Sequence, residues 1–389
     1  MTALSGHLPR VDCPSPVDPM VVPLTANSDM PEIMRSKYGY LVDNSSSVPS
    51  GFAVYFKKPF GQGSPEPGQP SSICVELPPS LHYLSDGDIV RVDFRQKKLR
   101  TLYRRSSRFN YFLLTERCDH YCLMCSQPPK NVNDDWLLDS LLAAIPFISR
   151  ETPFIGVTGG EPTILGDRFL DLIRRLKSIL PQTPVHVLTN GKKFADQKFC
   201  ADYAAIGHQG VTVGIPIYSD LSSVHDYVVQ CDGAFDTTLR GILELKRRAK
   251  KVEIRIVISK QTYERLPQFA EFIYRNLTFV DHVAFMGLEL TGFAKANIDE
   301  LWIDPNDYKT ELQTATGYLK RRGMNVSIYN HQLCTIDPRS WPLARKSISD
   351  WKNEYLPACE GCSAMEQCGG FFTTSSVRRS NSIAAIPKE

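Results

Sequence analysis

The sequence has no long apolar run and no strong excess of charge of either sign. No stretch approaches the ~18 consecutive apolar residues of a membrane-spanning helix, and residues 1–31 are rich in Pro, Ser and Asp, unlike a secretory signal. Lys and Arg number 45 against 42 Asp and Glu, and a net charge of +3 gives no strong field for holding a polyanion. We therefore expect a cytoplasmic protein that has no membrane anchor and no nucleic acid partner.

The composition is that of a globular protein with more than one domain and many cysteines. The chain has 389 residues, of which 42% are hydrophobic and 22% charged, and this allows a large core. A chain of this length does not need disulfide bonds for stability, and its 11 cysteines are an odd number. The cysteine spacing is therefore interpreted first as metal or redox chemistry.

The N-terminal quarter of the chain predicts a small β-rich module over residues 1–105. Short alternating runs at 51–56 and 88–94 are typical of strands. Residues 61–72 are too rich in Gly and Pro to join a sheet, and they predict a loop.

Residues 106–300 alternate between short apolar runs and longer amphipathic stretches. The runs predict strands at 110–115, 154–158, 185–188, 211–217, 252–258 and 283–287. The amphipathic stretches predict helices at 134–148, 167–180, 235–250 and 263–276. This alternation indicates an α/β fold with a parallel sheet, either open or a partial barrel, in which ligands bind at the carboxyl ends of the strands.

The C-terminal part carries a second group of cysteines. Residues 301–373 predict one more helix, a strand over 325–329 and a cysteine-rich module. Residues 374–389 are rich in Ser and Arg, and we expect them to form a flexible tail.

Three cysteines lie within eight residues, directly after the first predicted strand of the alternating region. Cys118, Cys122 and Cys125 follow the spacing Cys-x3-Cys-x2-Cys, and three thiolates this close suit an iron–sulfur cluster or zinc. In the zinc alternative His120 would be the fourth ligand, although it lies between two of the cysteines. A 4Fe-4S cluster held by three cysteines leaves one iron open to a substrate or cofactor.

This motif resembles that of the radical S-adenosylmethionine (radical SAM) enzymes, which have a partial (β/α)6 barrel. The resemblance implies that the open iron chelates S-adenosyl-L-methionine and that an electron from the cluster cleaves it to methionine and a 5'-deoxyadenosyl radical. It also implies cofactor contacts at the ends of later strands. The residues concerned are Gly159, Gly160, Glu161, Thr189, Asn190, Arg255 and Gly287.

Each of these contacts has an ordinary structural alternative. The two glycines before Glu161 could form a plain turn, as could Asn190 with the glycine after it, and Arg255 could face solvent at a sheet edge. Met124 also departs from the family pattern, which usually has an aromatic residue before the third cysteine. A thioether can still pack on a purine, so this departure weakens only the expected adenine contact.

The second cysteine group resembles the auxiliary-cluster module of radical SAM peptide maturases, in a shortened form. Cys334, Cys359, Cys362 and Cys368 suffice for one complete second 4Fe-4S cluster. The same four thiolates could instead hold a structural zinc. His331 could replace one thiolate, but we expect it to be a surface residue.

A closer resemblance is to the C-type radical SAM maturase of the His-Xaa-Ser peptide system. It is carried by residues 111–129 with the Ser-Gln-Pro-Pro after Cys125, and by the runs at 157–162 and 187–191. The implied partners are a precursor peptide with His-Xaa-Ser repeats, a second radical SAM maturase and an electron donor such as a flavodoxin or ferredoxin. The alternatives are a radical SAM enzyme acting on a small molecule or RNA, and a non-enzymatic zinc-binding interaction protein.

Overall fold

The computed structural model describes residues 4–42, 48–58, 72–346 and 354–388. The predicted loop over 61–72 therefore lies outside the described residues, except for its last residue. The chain divides into two compact units, and each unit is built from three separate stretches of the sequence. The first unit comprises Met1–Phe112, Asp134–Ile155 and Arg175–Thr183, and the second comprises Leu113–Asn133, Gly156–Arg174 and Pro184–Glu389. The module boundaries expected from the sequence remain predictions.

The first unit contains an eight-stranded sheet, in which the strand order is β1-β8-β7-β3-β4-β5-β6-β2. Its core contains buried aliphatic and aromatic side chains from five of the strands, including Leu24, Phe56 and Val90. The predicted strands at 51–56 and 88–94 are confirmed as β5 and β7. The strands are β1 (Ser5–His7), β2 (Val11–Asp12), β3 (Met20–Thr25), β4 (Gly39–Val42), β5 (Val54–Lys57), β6 (Cys74–Glu76), β7 (Ile89–Asp93) and β8 (Lys98–Tyr103), with a short helix α1 (Glu32–Arg35) after β3.

Helix α2 (Trp136–Ala144) belongs to the first unit and lies against β3 and β8. The guanidinium of Arg91 stacks on the Trp136 ring, 4.4 Å from its centroid. The Tyr103 hydroxyl and Thr152 Oγ1 are 2.8 Å apart in the same unit. The N-terminal sheet is therefore covered in part by residues that come after the three-cysteine loop in the sequence.

A second sheet has seven strands in the order β15-β14-β13-β12-β11-β10-β9, and it is a curled, open half barrel. The pairing is parallel from β11 to β15. All six predicted strands of the alternating region are confirmed, and the predicted strand over 325–329 is the seventh member of this sheet. The strands are β9 (Asn110–Leu113), β10 (Ile155–Thr158), β11 (Val185–Leu188), β12 (Val211–Pro216), β13 (Lys251–Val257), β14 (His282–Met286) and β15 (Val326–Tyr329).

The longer helices follow the predicted periodicity, and several short ones were not predicted. Helix α2 ends earlier than predicted, and a 3-10 turn over Ile145–Phe147 follows, because Pro146 cannot continue the hydrogen bonding of an α-helix. The sequence analysis missed the short helices α1, α4, α5, α8 and α9. The remaining helices are α3 (Asp167–Ile179), α4 (Gln197–Ile206), α5 (Ser222–Val229), α6 (Ala234–Arg247), α7 (Leu266–Asn276), α8 (Gly292–Ala296), α9 (Ile298–Leu301) and α10 (Lys309–Arg321).

A capping residue could have revealed α4. The Asp196 carboxylate accepts hydrogen bonds from the backbone amides of Lys198 (3.0 Å) and Phe199 (3.2 Å), as an N-cap aspartate does. Among the described residues, no helix is long and apolar enough to cross a membrane.

Candidate active site

The three-cysteine loop directly follows β9 and is held by backbone hydrogen bonds. The amides of Tyr121 and Leu123 donate to the carbonyls of Val229 (3.2 Å) and Val228 (2.9 Å) at the end of α5. The amide of Phe293 in α8 donates to the Cys125 carbonyl at 2.8 Å. Elements that come more than 100 residues later therefore fix the path of the loop.

The thiols of this loop are partly buried and influence one another electrostatically. Burial raises the pKa of Cys118 to about 12. Burial raises the pKa of Cys122 further, and the nearby Cys125 and Cys118 thiolates add to the effect. Burial also raises the pKa of Cys125. Three thiolates in this position need a compensating positive charge, which a metal centre would supply.

The two glycines before Glu161 let the chain's own backbone pack closely on the cysteine loop. The Gly160 amide donates to the Thr115 carbonyl, and the Glu161 amide donates to the Arg117 carbonyl, both at 2.8 Å. A Cβ on Gly160 would collide with the Arg117 carbonyl oxygen, and one on Gly159 would lie 2.6 Å from that of Thr115. The absence of side chains here is therefore explained without a cofactor, and the predicted approach to S-adenosylmethionine remains a prediction.

Glu161 is a buried carboxylate, with 2% of the residue exposed. Its Oε1 accepts hydrogen bonds from the Thr163 amide (2.9 Å), the Thr163 hydroxyl (2.6 Å) and the Thr189 hydroxyl (2.7 Å), and its Oε2 accepts one from the Asn190 amide (2.6 Å). All four donors are neutral groups. Burial raises the pKa of Glu161, whereas these hydrogen bonds lower it. A cationic group beside Oε2 would stabilise the ionised form.

Asn190 connects the end of β11 to the cysteine loop. Its Nδ2 donates to Asp119 Oδ1 at 2.7 Å, and Lys192 Nζ lies 3.1 Å from Asp119 Oδ2. Burial alone would raise the pKa of Asp119, but the hydrogen bond and charge of Lys192 hold it below its ordinary value. The structure thus brings the predicted residues Thr189 and Asn190 together with Glu161 and the cysteine loop.

Arg255 lies in β13, between β12 and β14, with 18% of its side chain exposed. The alternative of a solvent-facing position at a sheet edge is therefore wrong. Its Nη1 donates to Glu253 Oε1 at 2.8 Å, and Glu253 also contacts His282 (2.7 Å) and His186 (3.4 Å). Burial raises the pKa of Glu253, but the hydrogen bonds from the two histidines and the charge of Arg255 lower it well below its usual range.

The sequence analysis named Arg255 but missed the polar residues around it, which are His186, Glu253 and His282. The signal was present in β13, where Glu253 and Arg255 alternate with Val252, Ile254 and Ile256, which are fully buried. Two charged residues on one face of an otherwise apolar central strand indicate a polar interior face.

Gly287 and Met124 also pack closely against other parts of the chain. A Cβ on Gly287 would collide with the Asn330 carbonyl oxygen, so the glycine allows β14 and the end of β15 to approach closely. Met124 is buried in an apolar cluster that includes Tyr218 and Val228. The predicted adenine contact of Gly287 remains a prediction.

His120 is buried, and its Nε2 has no hydrogen-bond partner in the described part of the chain. Burial lowers the pKa of His120 to about 4, so the ring is neutral at pH 7. Across the described residues, no group of three or more His, Cys, Asp or Glu side chains has the arrangement of ligands to a metal ion.

The second cysteine group converges on one cavity, which lies beyond β15. Tyr355 also lines this cavity, and its hydroxyl donates to the carbonyls of Met365 and Cys368, each at 3.0 Å. Burial raises the pKa of the Cys334 thiol, and the nearby Cys368 and Cys359 thiolates raise it further. The four predicted cysteines that line the cavity are Cys334, Cys359, Cys362 and Cys368.

His331 is not the surface residue that the sequence suggested, because only 2% of it is exposed. Its Nε2 lies 2.8 Å from the Tyr308 hydroxyl, and its Nδ1 lies 2.8 Å from the Tyr329 carbonyl oxygen. Both ring nitrogens therefore have partners within the chain. The histidine has a structural role, because it connects Tyr308, in the turn before α10, to the end of β15. This leaves the four thiols as the candidate ligands of the second site.

The structure combines a curled, open α/β half barrel with three cysteines in the loop after its first strand, as the resemblance to the radical SAM enzymes implies. Consistent with this, the model of the Radical SAM superfamily matches residues 112–273. The match covers the three cysteines and strands β10 to β13, and the superfamily that it describes implies a 4Fe-4S cluster and S-adenosylmethionine.

Several proteins are similar to parts of the chain. Pre-heme d1 synthase of Dinoroseobacter shibae is 31% identical over 160 residues, which cover 40% of this chain and 37% of that protein. The solved structure of Streptococcus suis SuiB bound to S-adenosylmethionine is 18% identical and covers 59% of this chain and 51% of SuiB, with a TM-score of 0.45. The solved structure of native anSMEcpe with bound AdoMet is 16% identical and covers 57% of this chain and 63% of anSMEcpe, with a TM-score of 0.45. The chain thus spans less than two thirds of the length of each of these proteins.

Proposed function

We propose that the protein is a radical SAM enzyme that cleaves S-adenosylmethionine reductively and modifies a ribosomally synthesised peptide. The observation that carries the proposal is the position of the three thiols in the loop after β9, connected through Asp119 and Asn190 to the buried carboxylate of Glu161. A metal-binding loop beside a buried anion at the carboxyl ends of parallel strands can hold a cationic, metal-chelating cofactor.

Cys118, Cys122 and Cys125 would be the protein ligands of a 4Fe-4S cluster, because they lie in one loop and three thiolates leave one iron open. When bound, this cluster would supply the electron that cleaves S-adenosylmethionine to methionine and a 5'-deoxyadenosyl radical.

The residues around the loop would bind the cofactor. Glu161 would accept the ammonium group at Oε2, and Thr189 and Asn190 hold that carboxylate in place through their own donors. Arg255 would contact the carboxylate or the ribose.

The second cysteine group would hold one complete 4Fe-4S cluster with four protein ligands. Cys334, Cys359, Cys362 and Cys368 line a single cavity and supply only sulfur, a donor set that suits an iron–sulfur cluster. Four protein ligands leave no open iron, so this cluster would relay electrons or stabilise the module. Zinc held by the same thiolates is the alternative.

The peptide substrate is proposed from the sequence resemblance to the His-Xaa-Ser maturases, together with the partner maturase and an electron donor such as a flavodoxin or ferredoxin. A specific observation favours a second candidate, a radical SAM enzyme that acts on a small molecule. That observation is the 31% identity over 160 residues to a protein named pre-heme d1 synthase.

The test of the core proposal is replacement of Cys118, Cys122 and Cys125 together by Ala. We expect iron per chain to fall by about half and 5'-deoxyadenosine formation under dithionite to fall to background, because only the first cluster is lost. Iron and 5'-deoxyadenosine are measured on anaerobically purified protein.

The matched control is the double replacement Cys362→Ala and Cys368→Ala. It should lower iron by a similar amount, about four per chain, while leaving some reductive cleavage of S-adenosylmethionine. Undiminished 5'-deoxyadenosine formation in the triple variant would refute the radical SAM proposal. Colourless wild-type protein that contains zinc would favour the zinc-binding interaction protein.

A further inference from the structure

The C-terminal segment, residues 381–388, contacts the second cysteine site. The Ser363 amide donates to the Ile386 carbonyl, and the Ser363 hydroxyl donates to the Pro387 carbonyl, both at 2.9 Å. The Asn381 amide donates to Asp304 Oδ2 at 3.2 Å. The segment is thus connected at both ends to the module that carries the cysteines, although the sequence predicts a flexible tail.

A backbone amide of this segment is directed at a cysteine sulfur. The Ile386 amide donates to Cys362 Sγ at 3.3 Å. Outside the segment, the Gly370 amide lies 3.5 Å from Cys368 Sγ. The segment therefore places an N–H group on a cysteine that lies 24 positions earlier in the chain.

Two apolar side chains of the segment also lie at the cavity. Ala384 and Ile386 line it together with the four cysteines. They lie in the apolar run 383–386, which interrupts a tail that is otherwise polar and basic. An apolar cover limits the access of water to the sulfurs, and solvent access is one of the factors that set the reduction potential of a cluster.

We propose that residues 381–388 form a strap that completes the second cysteine site, and that the Ile386 amide positions and tunes its metal centre. The inference rests on the proposed function, in which this site holds a 4Fe-4S cluster. N–H groups that donate to cluster sulfurs stabilise the more negative, reduced form, so they raise the reduction potential. Ile386 is a positioning residue, because it acts through the sulfur of Cys362.

Ile386→Pro tests the strap, because proline has no N–H to donate, and Ile386→Val is the matched control that keeps the amide and a branched apolar side chain. Both changes are made in the full chain that also carries the Cys118, Cys122 and Cys125 to Ala replacements, so that only the second cluster titrates. The midpoint potential is measured by redox titration followed by electron paramagnetic resonance. We expect a more negative potential for Ile386→Pro than for Ile386→Val, whose potential should equal that of the parent.

Equal potentials in the two variants would overturn the proposed role of the amide, as would loss of iron in both. Loss of iron in Ile386→Pro alone would support the strap, since the amide would then be needed to retain the cluster.

A separate outcome concerns the proposed function itself. If the parent protein carries zinc at this site, the cluster assignment fails, and the strap is judged from the rate at which iodoacetamide alkylates Cys362 in metal-free protein. Severalfold faster alkylation in Ile386→Pro than in Ile386→Val supports a strap that covers the site, and equal rates overturn it.

Discussion

Glu161 places a carboxylate where the chain supplies only neutral hydrogen-bond donors. Those donors come from Thr163, Thr189 and Asn190, and together they occupy both oxygens. Because burial raises the pKa of Glu161, a cofactor ammonium group would gain from the contact and would also favour the ionised form. The residue therefore has both a structural and a proposed binding role, and a test must separate them.

We expect Glu161→Gln to weaken S-adenosylmethionine binding by roughly one to two orders of magnitude, with iron content unchanged. The substitution removes the charge but keeps the size of the side chain, and a charge-assisted hydrogen bond contributes ~1.5–3 kcal/mol. Binding is measured by calorimetric titration of reconstituted protein. Thr163→Val is the control, because it removes one donor to the carboxylate and leaves the charge. Unchanged affinity in Glu161→Gln would show that the cofactor is placed wrongly, although the radical SAM class could survive.

At the scale of elements, the loop after β10 supports the loop after β9. The amides of Gly160 and Glu161 bind carbonyls of residues 115–117, just before the first cysteine. The obstacle to a side chain at Gly160 is the backbone oxygen of Arg117, which cannot move without moving the cysteine loop. The position of the three-cysteine loop therefore requires glycine at position 160.

Gly160→Ala should displace the cysteine loop and lower iron by about half, with 5'-deoxyadenosine formation falling in parallel. Gly317→Ala in α10 is the matched control. Its Cβ would meet only the ends of the Arg321 and Gln313 side chains, and Ala is preferred over Gly inside a helix by ~1 kcal/mol. Iron per chain and melting temperature are compared for both variants. Full iron content in Gly160→Ala would contradict the proposed support of the loop.

For the whole molecule, the first unit is assembled from three stretches of the chain. Helix α2 packs on β3 and β8 within that unit, and Arg91 stacks on Trp136. Deleting residues 1–100 would uncover this face of α2, so loss of peptide binding in such a truncation would have two explanations. Tests of the proposed peptide substrate therefore require the full chain.

Calorimetric titration of the full chain with a precursor peptide containing His-Xaa-Ser triplets tests the substrate class. We expect binding of this peptide, alone or with the partner maturase present, and no binding of a peptide of equal composition whose triplets are scrambled. Strands at the edges of a sheet can bind an extended peptide through backbone hydrogen bonds, and β1 and β2 are the edges of the first unit's sheet. Absence of binding in both formats would leave the small-molecule alternative as the better proposal.

Features encoded by local pattern could be predicted from the sequence. The strands of the half barrel follow from runs of Val, Ile and other apolar residues, and the major helices follow from their amphipathic periodicity, since both patterns repeat over a few neighbouring residues. The three-cysteine motif is equally local, because Cys118 and Cys125 lie within eight residues of each other. These signals determined the fold class and the proposed chemistry.

Only the tertiary structure decided which groups meet across long separations. Thr189 and Asn190 donate to Glu161, Tyr308 contacts the buried ring of His331, and the Ile386 amide donates to Cys362. These contacts join residues that are 23 to 29 positions apart in the chain. No periodicity or spacing encodes such contacts. They depend on how the carboxyl ends of the strands and the C-terminal segment come together, which is set by packing of the whole chain.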